Sequence, residues 1–263
     1  MDAQRPDKTQ RSDKTADRRT LLGMLTPSSN TILEPVCADI MHGLPGISVH
    51  FSRFTVTEIS NNERAQGQFS YEPMLEAASL LADARVDTIC WNGTSASWLG
   101  IDRDVALCEK IEEQTGIRST SAVLAMMEAL RLFGAKRVGL VTPYIDGIQS
   151  MINANLEKEG VPVVADEHLG LSENFAFSLV GEAQLADMTR RVARARPDAI
   201  AILCTNLNGA RVAAALEPEL GIPVLDSISL AVWGSMRAAA ADTSPLAEWG
   251  RLFTLRQEDM VDA

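Results

Sequence analysis

A thiol at the end of an apolar run is the first group in this 263-residue chain with chemistry in reach. Cys204 follows DAIAIL at 198–203 and precedes Thr205-Asn206. A thiol at a strand end beside exposed backbone N–H groups serves as a proton donor or, once deprotonated, as a nucleophile or base. Three hydroxyls, on Thr94, Ser95 and Tyr144, stand in similar settings, NGTSAS at 92–97 and TPYID at 142–146. With the N–H groups around Thr205 they can hold a carboxylate, and the enediolate developing from it, without a net positive charge. Asn30 in TPSSN and Asn174 in SEN can offer amide N–H groups to a second carboxylate.

Each of these groups has a plainer alternative. A lone cysteine after DAIAIL is a small buried hydrophobe, and Thr94-Ser95 and Pro27-Ser28-Ser29-Asn30 read equally well as helix caps. Cys37, Cys90 and Cys108 look like packing residues, Trp91, Trp98 and Trp233 like core, and His42, His50 and His168 have no evident partners in the sequence.

From residue 21 onward, short Val-, Ile- and Leu-rich runs alternate with longer amphipathic stretches, the pattern of parallel sheets covered by helices. The predicted class is α/β. Strands are expected at 21–26, 47–54, 86–91, 137–142, 161–169 and 198–204, with two shorter ones after Gly116 and Gly221. Helices are expected near 33–42, 72–85, 101–115, 121–133, 146–159, 182–195, 209–219 and 229–240.

The chain also echoes itself. LLGMLTPSSN at 21–30 corresponds to RVGLVTPYID at 137–146, VDTICWNGTSAS at 86–97 to PDAIAILCTNLN at 197–208, and the stretch from Gly116 to the one from Gly221. This implies a tail at 1–19 too polar to order, a lobe at 20–134 and a pseudo-symmetric lobe at 135–263 whose last helix can cross to the other. Ligands of parallel sheets bind at strand carboxyl ends. The cleft between lobes would then receive Pro27, Ser28 and Asn30, Gly93 with Thr94 and Ser95, Tyr144, and Cys204 with Thr205 and Asn206. In the repeat, Gly93 falls opposite Cys204.

Composition narrows the partners. The 24 Lys plus Arg against 35 Asp plus Glu leave −11, with no basic run in the globular part, so nucleic acid and anionic membrane surfaces are poor partners. No 18-residue apolar window and no secretory signal occur. Four cysteines without CxxC spacing argue against a zinc site or a disulfide framework and point to the cytoplasm.

The motifs TPSSNT at 26–31, NGTSAS at 92–97, KRVGLVTPYID at 136–146, SEN at 172–174, ILCTN at 202–206, GIPVLDS at 221–227 and GRLF at 250–253 resemble the aspartate/glutamate racemase superfamily. Within it the resemblance is to maleate isomerases and arylmalonate decarboxylases, over nearly everything from residue 21 to residue 253. It implies two α/β lobes, a site between them, no cofactor, and chemistry at a carbon beside a carboxylate. Racemases and isomerases of that superfamily carry a cysteine from each lobe, and the first would align with Gly93. Gly93-Thr94-Ser95, Tyr144 and the single Cys204 resemble the decarboxylases instead. Thr205, where those enzymes have glycine, departs from them, and Asn30 and Asn174 match the isomerases' carboxylate-holding asparagines.

Two-base racemisation needs groups on both faces of the carbon, which a glycine cannot supply. The resulting expectation is decarboxylation of a small malonate-like diacid with Cys204 protonating the enediolate. The alternatives are cis–trans isomerisation of a maleate-like diacid, racemisation, or metabolite binding without turnover. Homo-oligomerisation is left open.

Overall fold

The computed structural model describes residues 18–255, so most of the expected N-terminal tail lies outside the described residues. Eight parallel strands form two sheets of four. The first contains β1 (Thr20–Pro27), β2 (Ile47–Phe54), β3 (Thr88–Trp91) and β4 (Arg118–Ser121) in the order β2-β1-β3-β4. The second contains β5 (Val138–Thr142), β6 (Val163–His168), β7 (Ala199–Ile202) and β8 (Val224–Asp226) in the order β6-β5-β7-β8. The identical order is the structural form of the sequence repeat. Central strands are mostly apolar because helices cover both faces; every residue of β3, β5 and β7 is buried, Thr88 and Thr142 included.

The helices follow the expected intervals: α1 (Leu33–Ile40), α3 (Tyr71–Asp83), α5 (Asp102–Thr115), α6 (Ala122–Leu132), α7 (Asp146–Lys158), α9 (Glu182–Ala193), α10 (Ala210–Leu220) and α11 (Ser227–Ala238). Three single-turn helices, α2 (Glu63–Gly67), α4 (Ala96–Leu99) and α8 (Asn174–Phe177), were not expected; segments so short carry no helical periodicity.

The repeat extends to the punctuation. α5 and α10 both end on glycines in the left-handed region, Gly116 at φ 70° and Gly221 at φ 71°, where a side chain would strain the backbone. Five residues later the next helix is capped in both halves. Ser121 Oγ accepts from the Leu124 N–H, and Asp226 Oδ1 from the N–H groups of Ile228 and Ser229. α11 then crosses to the first sheet, packing on α6, β3 and β4, with an Arg237–Glu128 ion pair of 2.8 Å closing the contact. Among the described residues no helix is long and apolar enough to cross a membrane.

Candidate active site

Parallel strands place all their carboxyl ends on one edge of each sheet, and the loops leaving those ends interlock across the cleft. Just beyond β7, the Cys204 sulfur accepts a hydrogen bond from the Asn206 N–H at 3.3 Å, and the Tyr144 hydroxyl is its neighbour. Burial pushes the thiol up to about 11, against the downward pull of those two groups, and the nearby Asp226 carboxyl adds to the rise. At neutral pH this is a protonated thiol.

Tyr144 lies beyond β5 with its ring gripped edge-on by Trp98 at 5.2 Å and Phe177 at 5.7 Å. Its hydroxyl shares a 2.6 Å hydrogen bond with Thr94 Oγ1. Burial first, and the neighbouring Cys204 second, hold the phenol well above its ordinary value, so it stays a neutral donor. Thr94 is fixed in turn by Ser97, whose hydroxyl donates to the Thr94 carbonyl at 2.6 Å.

Among the described residues the Ser95 hydroxyl and the backbone N–H groups of Thr94, Ser95 and Thr205 donate to no acceptor, although Thr94, Ser95 and Thr205 are only 4% exposed. Buried donors without acceptors are costly. Converging here, they form a cradle suited to a carboxylate or an oxyanion.

The expected second wall is built differently. Asn30 gives its amide N–H groups to the carbonyl (3.0 Å) and hydroxyl (3.3 Å) of Thr205, and its Oδ1 accepts from the N–H groups of Ile32 and Leu33 at the start of α1. The cap reading of Asn30 therefore holds, and the same side chain joins the lobes. Thr205 explains its departure from glycine: its hydroxyl donates to the Asn92 carbonyl at 2.8 Å. Asn206 accepts from the Thr31 N–H and donates to the Asn174 carbonyl. Asn174 gives one amide hydrogen to Ser29 Oγ at 2.8 Å and keeps the other uncommitted.

Ser28 pins the 54–56 backbone through Val56, and Pro27 accepts from the Asn30 N–H to close the turn. Arg53, unremarked in the sequence, holds this turn from outside by donating to the carbonyls of Ser28 and Asn30. Backbone hydrogen bonds from Ile59 to Ser172 and from Asn174 to Thr57 close the cleft. The hollows on the surface lie elsewhere, one of about 580 Å³ being lined by Asp39, His42, Arg211 and Trp249.

Two readings of the sequence need correction. His50 Nε2 lies 3.1 Å from the Ser48 hydroxyl. His168 has partners: Nδ1 meets Asp166 at 2.7 Å and Nε2 meets Asp146 at 3.0 Å. Partial burial lowers its pKa, but hydrogen bonds to both carboxylates outweigh that and raise it. Asp166 and His168 are two residues apart on β6 and so share a face, whereas Asp146 is brought to them only by the β6–α7 packing. Trp91 is fully buried as expected of core, yet its ring lies over Gly93, where a side chain at that position would project.

Cys37, Cys90 and Cys108 are buried and unpaired in α1, β3 and α5; burial raises all three thiols, Cys108 to about 12. Among the described residues no cluster of three or more His, Cys, Asp or Glu side chains could hold a metal ion.

The comparisons agree with this architecture. The family model of arylmalonate decarboxylase matches residues 36–253. An arylmalonate decarboxylase of Bordetella bronchiseptica is 28% identical over 235 residues, covering 88% of this chain and 95% of that one. A maleate isomerase of Nocardia farcinica is 26% identical over 252 residues, covering 92% and 98%. The solved structure of the Nocardia farcinica maleate cis-trans isomerase bound to TRIS shares the fold at a TM-score of 0.80 and 24% identity, covering 92% of this chain and all of that one. With a matched family model spanning most of its length and the thiol, cradle and paired sheets in place, the chain belongs to the arylmalonate decarboxylase family, an enzyme family of α/β fold.

Proposed function

We propose that this enzyme decarboxylates a small malonate-like diacid, with Cys204 as the proton donor. The observation that carries the reading is the state of Cys204. It is a buried thiol beside the cradle, kept protonated by burial and hydrogen-bonded to no carboxylate or imidazole that could serve as its base. A thiol so held gives a proton more readily than it attacks an alkene.

In the reaction one carboxylate sits in the cradle of Ser95, Thr94 and Tyr144 with the free N–H groups of Thr94 and Ser95. The bond between the carbon and the second carboxylate breaks, CO₂ leaves, and the electron pair passes into the held carboxylate as an enediolate. Cradle donors stabilise that charge more than they stabilise the reactant, which is what lowers the barrier. The Cys204 S–H then protonates the carbon, and the Asn206 N–H steadies the thiolate until a solvent proton restores it. The dianion plus one proton becomes a monoanion plus CO₂.

Engagement of Asn30 by Thr205 supports this reading, because a carboxylate ringed by free amides would be stabilised against leaving. The uncommitted amide hydrogen of Asn174 favours the second reading, cis–trans isomerisation of a maleate-like diacid. Four unpaired cysteines suit a reducing cytoplasm. Malonates, maleate and amino acids followed by proton NMR in D₂O separate these reactions. CO₂ loss from a malonate supports the proposal, and conversion of maleate without it replaces the proposal with isomerisation.

A further inference from the structure

Gly93 is flanked by two residues tied to the Cys204 side of the cleft. The Asn92 carbonyl accepts from Thr205, and Thr94 shares a hydrogen bond with Tyr144, the neighbour of Cys204. A Cβ built on Gly93 would clash with the six-membered ring of the Trp91 indole, coming nearest Cζ2, Cη2 and Cε2. Those atoms form the edge of the ring system that carries Nε1, since Cε2 is bonded to it. The Nε1–H is buried and has no hydrogen-bond partner among the described residues. Phe54 and Phe69 pack against the ring, at centroid distances of 5.2 and 6.5 Å, and hold it in place.

An indole N–H left unpaired in a closed interior is unfavourable, and buried tryptophans ordinarily find an acceptor. Here the unpaired donor stands beside a cradle of other unpaired donors. The simplest common partner is a diacid, with one carboxylate in the cradle and the other at Trp91.

We propose that Trp91 is a substrate-contacting, specificity-determining residue: its indole fills the space a second thiol at position 93 would need, and its Nε1–H donates to a carboxylate oxygen of the bound diacid. The proposal rests on the reading of the cleft as a diacid site and deepens it. A single neutral donor set in an aromatic wall orients a carboxylate without neutralising it, as a leaving carboxylate requires. The wall also makes the chemistry one-sided by sterics as well as by the glycine. Restoring a second thiol then takes two changes, because Gly93→Cys alone drives its Cβ into Trp91.

The test uses the full chain with ¹⁵N-labelled tryptophan, whose four indoles give four N–H signals. The signal missing from Trp91→Phe is that of Trp91; should that variant not fold, Phe at Trp98, Trp233 and Trp249 in turn assigns it by elimination. Phenylmalonate is titrated into the parent and into Cys204→Ala, where the diacid is not consumed, with calorimetry reporting binding. The Trp91 signal should shift saturably in step with binding, and Trp91→Phe should raise KM for phenylmalonate about 10- to 100-fold, the range for a hydrogen bond to a charged group. Gly93→Cys should gain no exchange of an α-proton of 2-phenylpropionate into D₂O, whereas Trp91→Ala/Gly93→Cys should gain it.

A diacid that binds without moving the Trp91 signal overturns the contact and leaves the decarboxylase reading intact. Exchange in Gly93→Cys equal to that of the double variant overturns the wall. A shifted Trp91 signal with no CO₂ release removes the decarboxylase reading and leaves this one standing. Binding of neither phenylmalonate nor maleate overturns both.

Discussion

At the scale of single residues, the account turns on which groups near Cys204 are committed and which are free. Tyr144 is the least replaceable of the cradle residues, because its hydroxyl shares a hydrogen bond with Thr94 and neighbours Cys204. Tyr144→Phe should cost roughly 10² to 10³ in kcat with a smaller effect on KM, as for a donor aimed at developing charge. A rise in KM alone would show that Tyr144 only binds. The protonation state of Cys204 gives a second check. With its thiol raised to about 11, the donor stays loaded across the neutral range, so kcat should be flat from about pH 7 to about pH 10 and fall only beyond it. A kcat that climbs through that range would mark a thiolate nucleophile instead. The sequence made Cys204, Thr94, Ser95 and Tyr144 legible because they follow strand ends. It could not show that the Asn30 amide is spent on a residue 175 positions away, since such a pairing exists only after the lobes meet.

At the scale of elements, the strands were readable because a strand covered on both faces must be largely apolar, as β5 is up to Thr142 and β7 is throughout. α4 was not readable as a helix: its four residues make one turn, and what holds it is the Ser97–Thr94 hydrogen bond and the Trp98 contacts with Phe69 and Tyr144. The cap of α11 carries a stability consequence. Asp226 is wholly buried, and burial raises its carboxyl from 3.8 to about 7 despite the backbone N–H groups of Ile228 and Ser229 that it caps. The unfolded chain releases this proton near pH 4 and the folded chain only near pH 7, so the group favours folding in acid and loses that contribution as pH rises through 7. Asp226→Asn keeps a capping oxygen and removes the titration. Its Tm relative to the parent should therefore rise between about pH 4 and about pH 8, by at least about 2 °C. A constant difference across that range would mean that the carboxyl titrates at its ordinary value.

At the scale of the molecule, the repeat describes the sheets better than it describes folding units. α11 belongs by sequence to the second half yet covers β3, β4 and α6 of the first, and the Asn30, Asn174 and Asn206 side chains bond Thr205, Ser29 and the Thr31 N–H across the cleft. We propose 20–134 and 135–263 as the lobes in sequence terms, and expect neither to fold alone. A chain ending at residue 134 leaves the face under α11 bare and should give collapsed amide dispersion by NMR; a well-dispersed spectrum would show an independent domain. The interlocked loops also explain why the chemistry is enclosed, with Cys204 only 3% exposed. Enclosure makes the direction of protonation a property of the whole cleft: one thiol, on one side, with the other side walled by Trp91. The most direct measurement is therefore decarboxylation of 2-methyl-2-phenylmalonate in D₂O by the parent and by Cys204→Ala, with deuterium content read by proton NMR and enantiomers separated by chiral chromatography. The account predicts product from the parent with a single deuterium on the α-carbon and in one enantiomeric form, and no product from a folded Cys204→Ala. Racemic product from the parent, or undiminished turnover in Cys204→Ala, would contradict it.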